Sequence, residues 1–108
     1  MFWISVAGAG DVDSDGVPDI VIGADHEGSA GEYAGAAYVV SGTVRGTIDL
    51  GVQGFKLSGQ EGWFLGNPVA GGADVDDDDI DDFLVVADGW DISPGYGFLV
   101  SGAEVVLP

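Results

Sequence analysis

The sequence predicts an all-β fold, and three observations predict it: glycine is abundant, the apolar runs are short, and one turn-rich stretch occurs twice. Twenty of the 108 residues are glycine and four are proline, against a single methionine, and no stretch has the make-up of a helix. The apolar segments Ile20 to Ala24 and Phe83 to Ala87 are too short for helices and are bounded by Asp and Gly, as strands buried on both faces would be. Apolar residues make up 46% of the chain, more than a charge-rich disordered segment carries, so a packed core is expected.

The repeat decides the organisation. Val6 to Asp25 aligns with Val69 to Asp88 at an offset of 63, with ten of twenty positions identical. The match resumes as Gly35-Ala36-Ala37-Tyr38-Val39-Val40-Ser41-Gly42 against Gly95-Tyr96-Gly97-Phe98-Leu99-Val100-Ser101-Gly102, now at an offset of 60. The three-residue difference lies in the segment holding His26, Glu27 and Glu32, the kind of place where loops tolerate insertion. Each unit reads as an acid-rich loop flanked by strands. Further strands are expected around Ala36 to Val40 and Phe98 to Val100. Gly54 to Ser58 is expected as an outer strand of the first unit, with polar Gln53 and Lys56 suiting an edge. The second unit offers only Glu104 to Leu107 in the corresponding place. The units are placed at residues 1–61 and 62–108.

Sheets that are apolar on both faces need other sheets against them. Radial stacking of four-stranded blades supplies that, as does a compact two-sheet sandwich in which one unit packs on the other. Propellers usually need about four to eight blades, and fewer than two are present, so the first architecture is expected as an incomplete ring.

Composition excludes several classes of function. Nineteen acids face two bases, Arg45 and Lys56, for a net charge of −17, which removes the basic clusters that nucleic-acid binding needs and makes docking to an anionic bilayer improbable. Cysteine is absent, so neither disulfides nor thiolate zinc sites hold the domain together. Met1 to Ala9 has no basic segment or apolar core long enough for a signal peptide, and no later run reaches membrane-spanning length. Export, if it occurs, is expected to be directed by residues outside this stretch.

Within the first repeat, Asp11-x-Asp13-x-Asp15-Gly16-x-x-Asp19 sets carboxylates at alternate residues and then turns at a glycine able to take positive φ. Such a loop converges oxygen donors on one point, as in the first nine residues of a helix-flanked calcium loop. Side-chain ligation is expected from Asp11, Asp13, Asp15 and Asp19, with the Val17 carbonyl adding an oxygen. Pro18 and the strand that starts near Ile22 rule out the helix-flanked form itself. The second loop, Asp74-x-Asp76-x-Asp78-Asp79-Ile80-x-Asp82, implies the equivalent set Asp74, Asp76, Asp78, Ile80 and Asp82, with Asp79 in place of the glycine. Asp77, Asp79 and Asp81 have no evident ligand role. Two unit charges about 4 Å apart repel by roughly 4 kcal/mol at an effective dielectric near 20, so such clusters favour a cation. Calcium suits an all-oxygen cage better than magnesium, which keeps its waters, and zinc is disfavoured where His26 is the one imidazole. His26 reads as an ordinary loop residue.

The motifs Phe2-x-x-Ser5-Val6-Ala7, Gly10-Asp11-Val12-Asp13-x-Asp15-Gly16-x-x-Asp19-Ile20-Val21-Ile22-Gly23-Ala24 and Gly35 to Gly42 together resemble one FG-GAP repeat, the repeat of integrin alpha-subunit amino-terminal propellers and of many secreted bacterial proteins. Leu65 to Gly102 resembles a second, more degenerate copy. Trp3 stands where the motif expects Gly, Leu65 where it expects Phe, Pro68 where it expects Ser, and Asp79 at the loop glycine. The resemblance implies blades of about sixty residues, a structural calcium ion between the first two strands of each, and an activity of recognition or adhesion; family membership decides fold better than function.

The leading expectation is a calcium-stabilised extracellular interaction module, completed by other copies of itself or by further blades of a longer chain. A glycan- or small-ligand-binding module using Trp63, Trp90, Tyr33 and Tyr96 is the alternative, and packing between blades is the plainer role for those rings. No Ser/His/Asp arrangement, phosphate loop or metal-hydrolase motif is present, and the spacing of the aspartates is already explained by a metal, so an enzyme is not expected. Millimolar calcium and screened repulsion both favour a place outside the cell or on its surface.

Overall fold

A computed structural model describes residues 4–26, 28, 31–43, 46–47, 49–50, 54–87, 89, 95–102 and 105. They form seven strands in two antiparallel sheets, and no ring closes among them. The first sheet runs β1 (Ile4–Gly10), β2 (Asp19–Ala24), β3 (Ala36–Val40) and β4 (Phe55–Ser58) in chain order, and the second runs β5 (Val69–Ala73), β6 (Asp82–Ala87) and β7 (Tyr96–Val100). The expected outer strand is present as β4, paired with β3 through Tyr38–Lys56 and Val39–Phe55. Trp90 and most of Glu104 to Leu107 lie outside the described residues.

Both sheets open in the same way. β1 and β2 pair from Ile4–Ala24 to Gly10–Asp19 with a register shift between Gly8 and Gly10, and β5 and β6 pair with the equivalent shift between Gly71 and Ala73. Such a bulge adds twist and bends the strand where it meets the loop. Each acid-rich loop therefore leaves its sheet from the same kink and returns as a strand that begins with Asp.

The sheets stack face to face, with β1 against β5. Their shared core takes Ala9, Val21, Ala37 and Val39 from the first sheet and Val69, Phe83, Val85 and Ala87 from the second, joined by Val12, Leu65 and Val105. Phe83 is its largest fully buried side chain. Truncating a buried Phe to Ala costs about 3–5 kcal/mol, the loss expected of Phe83→Ala at this interface. The connector between the sheets is zipped to both: Phe64 and Leu65 donate to the carbonyls of Tyr33 and Ala34, and Gly66 donates to Val86. A Cβ on Gly23 would collide with the Gly66 carbonyl, so this close crossing requires glycine.

Burial departs from the expectation of strands covered on both faces. β2 alternates buried and half-buried residues, and in β6 Leu84 is exposed. The pattern follows the repeat. Val12, Val21 and Val39 are 2%, 0% and 0% exposed, whereas their counterparts Val75, Leu84 and Leu99 are 56%, 38% and 59% exposed. The first sheet turns this face to the second sheet. Among the described residues no third sheet stands against the same face of the second.

Candidate metal centre

The first loop is folded by its own carboxylates. Asp11 leaves the bulge, and its two oxygens accept the backbone N–H groups of Asp15 at 3.1 Å and Gly16 at 2.8 Å. The Asp15 amide also donates to Asp13 at 3.3 Å, and the Val17 amide donates to Asp15 at 2.9 Å. Left-handed residues at Ser14 (φ 60°) and Gly16 (φ 87°) turn the chain between these contacts. Oxygens of Asp11, Asp13 and Asp15 all lie within 4.8 Å of one another.

The second loop repeats this geometry. Asp74 accepts the amides of Asp78 at 3.1 Å and Asp79 at 2.8 Å, and Asp78 accepts that of Ile80 at 3.0 Å. The left-handed positions are Asp77 (φ 65°) and Asp79 (φ 68°), so Asp79 performs the turn of Gly16 with a side chain attached. Here four residues bring oxygens within 4.8 Å of one another: Asp74, Asp76, Asp78 and Asp82.

The last aspartate of each loop has a second task. Asp19 is buried, and its oxygens accept the N–H groups of Val12 at 2.9 Å and Gly42 at 3.1 Å. Asp82, equally buried, does the same for Val75 at 3.0 Å and Gly102 at 2.8 Å. Each is a clamp that ties the start of its loop to the end of the third strand. The recurring Ser-Gly pair now has a physical reason, since a Cβ on Gly42 would collide with the Pro18 carbonyl and one on Gly102 with the Asp81 carbonyl.

The carboxylates feel one another. Desolvation together with the negative charges of Asp19 and Asp15 pushes the Asp13 carboxyl up to about 6. Asp76 is also raised, by desolvation and by its contacts with Asp78 and the charge of Asp82. Desolvation opposes ionisation at Asp11 and Asp74, but backbone N–H donors, from Gly16 and from Asp79 foremost, outweigh it and hold both carboxyls below the usual range.

These donors are all hard oxygens. Opposite ligands of a calcium ion stand about 4.6–5.2 Å apart, a span comparable with the 4.8 Å within which the oxygens of each group lie. Of the residues expected from the sequence, the structure gathers Asp11, Asp13 and Asp15 in one loop and Asp74, Asp76, Asp78 and Asp82 in the other. Asp19 stands outside its group as the clamp. Val17 and Ile80, expected to contribute carbonyl oxygens, have their amides bonded to the loop carboxylates. Two features escaped the sequence reading. One is the clamp, signalled by the repeated Ser-Gly. The other is Asp81, which reaches across to accept the Asp11 amide at 3.2 Å.

Among the described residues, the aromatic candidates pack in two separate groups. Trp63 stacks on Phe98 at 5.6 Å and meets Tyr96 edge-on at 5.3 Å, while Tyr33 stacks on Phe64 at 5.2 Å. His26 is half-buried against Tyr33 and Phe64, with Nδ1 2.8 Å from Asp25.

Residues 2–40 match the FG-GAP repeat. The chain is 36% identical over 98 residues to integrin alpha-5 of Xenopus laevis, an alignment that spans 88% of this chain and 9% of that protein. No solved structure matches the chain.

Proposed function

We propose that this chain, which belongs to the FG-GAP repeat family, is a calcium-stabilised structural and adhesive interaction module that works outside the cell or at its surface. Its two units, residues 1–61 and 62–108, act as propeller-type blades that need further sheets of the same kind, whether other copies of the chain or other blades of a longer one.

The observation that carries this reading is the contrast between equivalent faces. A set of apolar side chains fully covered in the first unit is bare in the second, at Val75, Leu84 and Leu99. Exposed apolar surface of this kind marks an interaction site, and the first unit displays what fits it: another sheet of the same repeat.

Calcium would be held by the carboxylates of Asp11, Asp13 and Asp15 in one loop and of Asp74, Asp76, Asp78 and Asp82 in the other, with the Val17 and Ile80 carbonyls completing each shell. Asp19 retains unused lone pairs beyond the two amides it holds, as Asp82 does, and is proposed as the fourth carboxylate of its loop. When bound, the ion supplies positive charge that cancels the repulsion inside each cluster. The chain's own contribution is the prefolded loop and the clamp beneath it. No chemistry on a substrate is assigned. The extracellular setting is supported by the similarity to an integrin alpha subunit and by the need of such loops for abundant calcium.

Sedimentation velocity with calcium and with chelator tests the reading. Wild-type protein is expected to associate in calcium and to remain small in chelator, and Leu84→Asp combined with Leu99→Asp is expected to stay small in both. A compact, stable wild-type monomer in millimolar calcium would contradict it.

A further inference from the structure

We propose that Asp81, a residue of the second loop, is a positioning residue for the first, so that the two loops act as one coupled unit; the proposal rests on the calcium reading above.

Asp81 sits between Ile80 and Asp82, at the position that Pro18 occupies in the first unit. The repeat therefore gives it no role, and the carboxylate is new to this copy. Its Oδ2 accepts the backbone N–H of Asp11 at 3.2 Å, across 70 residues of chain. Gly10 makes the approach possible. Its φ is +76°, and a Cβ there would collide with the Asp81 carboxylate.

The contact falls on the residue around which the first loop is built. Asp11 holds the amides of Asp15 and Gly16 with its own oxygens, so whatever holds the Asp11 amide also sets where those oxygens stand. A charged acceptor is the stronger kind of partner for an amide. Asp81 also brings a negative charge to the edge of the first group without belonging to it. Its chain neighbours are the clamp residue Asp82 and the expected ligand Ile80. Order in the second loop is thereby carried to Asp11 through one side chain.

The test measures each loop alone, by calorimetric calcium titration. Asp76→Asn with Asp78→Asn silences the second loop, and Asp13→Asn with Asp15→Asn silences the first. Asp81→Ala is expected to weaken calcium binding at the first loop by about 5- to 10-fold, the scale of one charge-assisted hydrogen bond at a partly exposed site, and to change the second loop less than about twofold. Asp81→Asn, which keeps a weaker acceptor, is expected to lie between. In calcium-free protein, hydrogen exchange at the Asp11 amide should speed up in Asp81→Ala, while Asp77→Ala leaves it unchanged. Equal losses at both loops, a loss confined to the second loop, or unchanged Asp11 exchange would overturn the proposal. Absence of calcium binding at the first loop with Asp81 intact would overturn the calcium reading and this proposal together, which separates that failure from the others.

Discussion

The two acid-rich loops share a backbone and differ in their surroundings. Both open at a bulge, fold around a first aspartate that holds two amides, and close on a buried aspartate that clamps the end of the third strand. They differ at the turn, where Gly16 gives way to Asp79, and in the closing residue, since Asp82 joins its carboxylate group and Asp19 stands outside its own. They differ most in what lies against their sheets. Features repeated in both loops, the clamp above all, belong to the architecture; features that differ are particular to each copy.

The clamp should give the largest effect. Asp19→Ala or Asp82→Ala strands two backbone amides that have lost their acceptor, and each is expected to cost about 2–5 kcal/mol of unfolding free energy by urea denaturation. Unequal losses would break the equivalence of the two clamps. Asp19→Asn sharpens the comparison further: a loss of calcium uptake at the first loop matching that of Asp82→Asn at the second would place Asp19 among the ligands.

Calcium comes next. At a concentration 100-fold above its dissociation constant, a ligand that binds only the folded state adds about 2.7 kcal/mol. Asp13→Ala with Asp15→Ala is expected to remove the first loop's share of that gain in thermal melts, leaving the second loop's share in place. A calcium response identical to wild type would contradict the assignment.

The turn is smaller. Asp79 holds a left-handed conformation that costs an L-residue roughly 1 kcal/mol, so Asp79→Gly should stabilise the chain by up to about that amount and Gly16→Asp should destabilise it by a similar amount. Denaturation midpoints that move in the same direction for both variants would show that the two turns are not equivalent.

The smallest effect is that of pH on the calcium-free protein. The Asp13 carboxyl is raised to about 6 and Asp76 is raised as well, so the folded chain binds protons that the unfolded chain has released. Stability from these groups is complete below the ordinary carboxyl value near 3.8 and is lost as pH rises through about 6. Urea midpoints should therefore fall between pH 5 and pH 7 in chelator, and the fall should shrink in Asp13→Asn with Asp76→Asn. An unchanged slope in that variant would assign the pH dependence to other groups.

Much of this was legible in the sequence because it depends on local pattern. Short apolar runs bounded by Asp and Gly became β2 and β6, and Gly54 to Ser58, with its polar Lys56, became the edge strand β4. Aspartate spacing also located both carboxylate groups. What sequence could not supply depends on partners distant in the chain. Val21 and Leu84 occupy the same repeat position, yet one is buried and the other exposed, because burial is decided by the sheet opposite. Spacing marked Asp19 and Asp82 as ligands but could not reveal that their oxygens hold amides seven and about twenty residues away. The Asp81 contact spans 70 residues and breaks the repeat, so no local pattern announces it.

The central claim is that a divalent ion, held by these aspartates, fixes the loops and through them the sheets. Thermal melting during a calcium titration tests it most directly. The melting temperature of wild-type protein is expected to climb with calcium and to stay flat when Asp13, Asp15, Asp76 and Asp78 are all replaced by Ala. Wild-type protein that melts at the same temperature in millimolar calcium and in chelator would contradict the account.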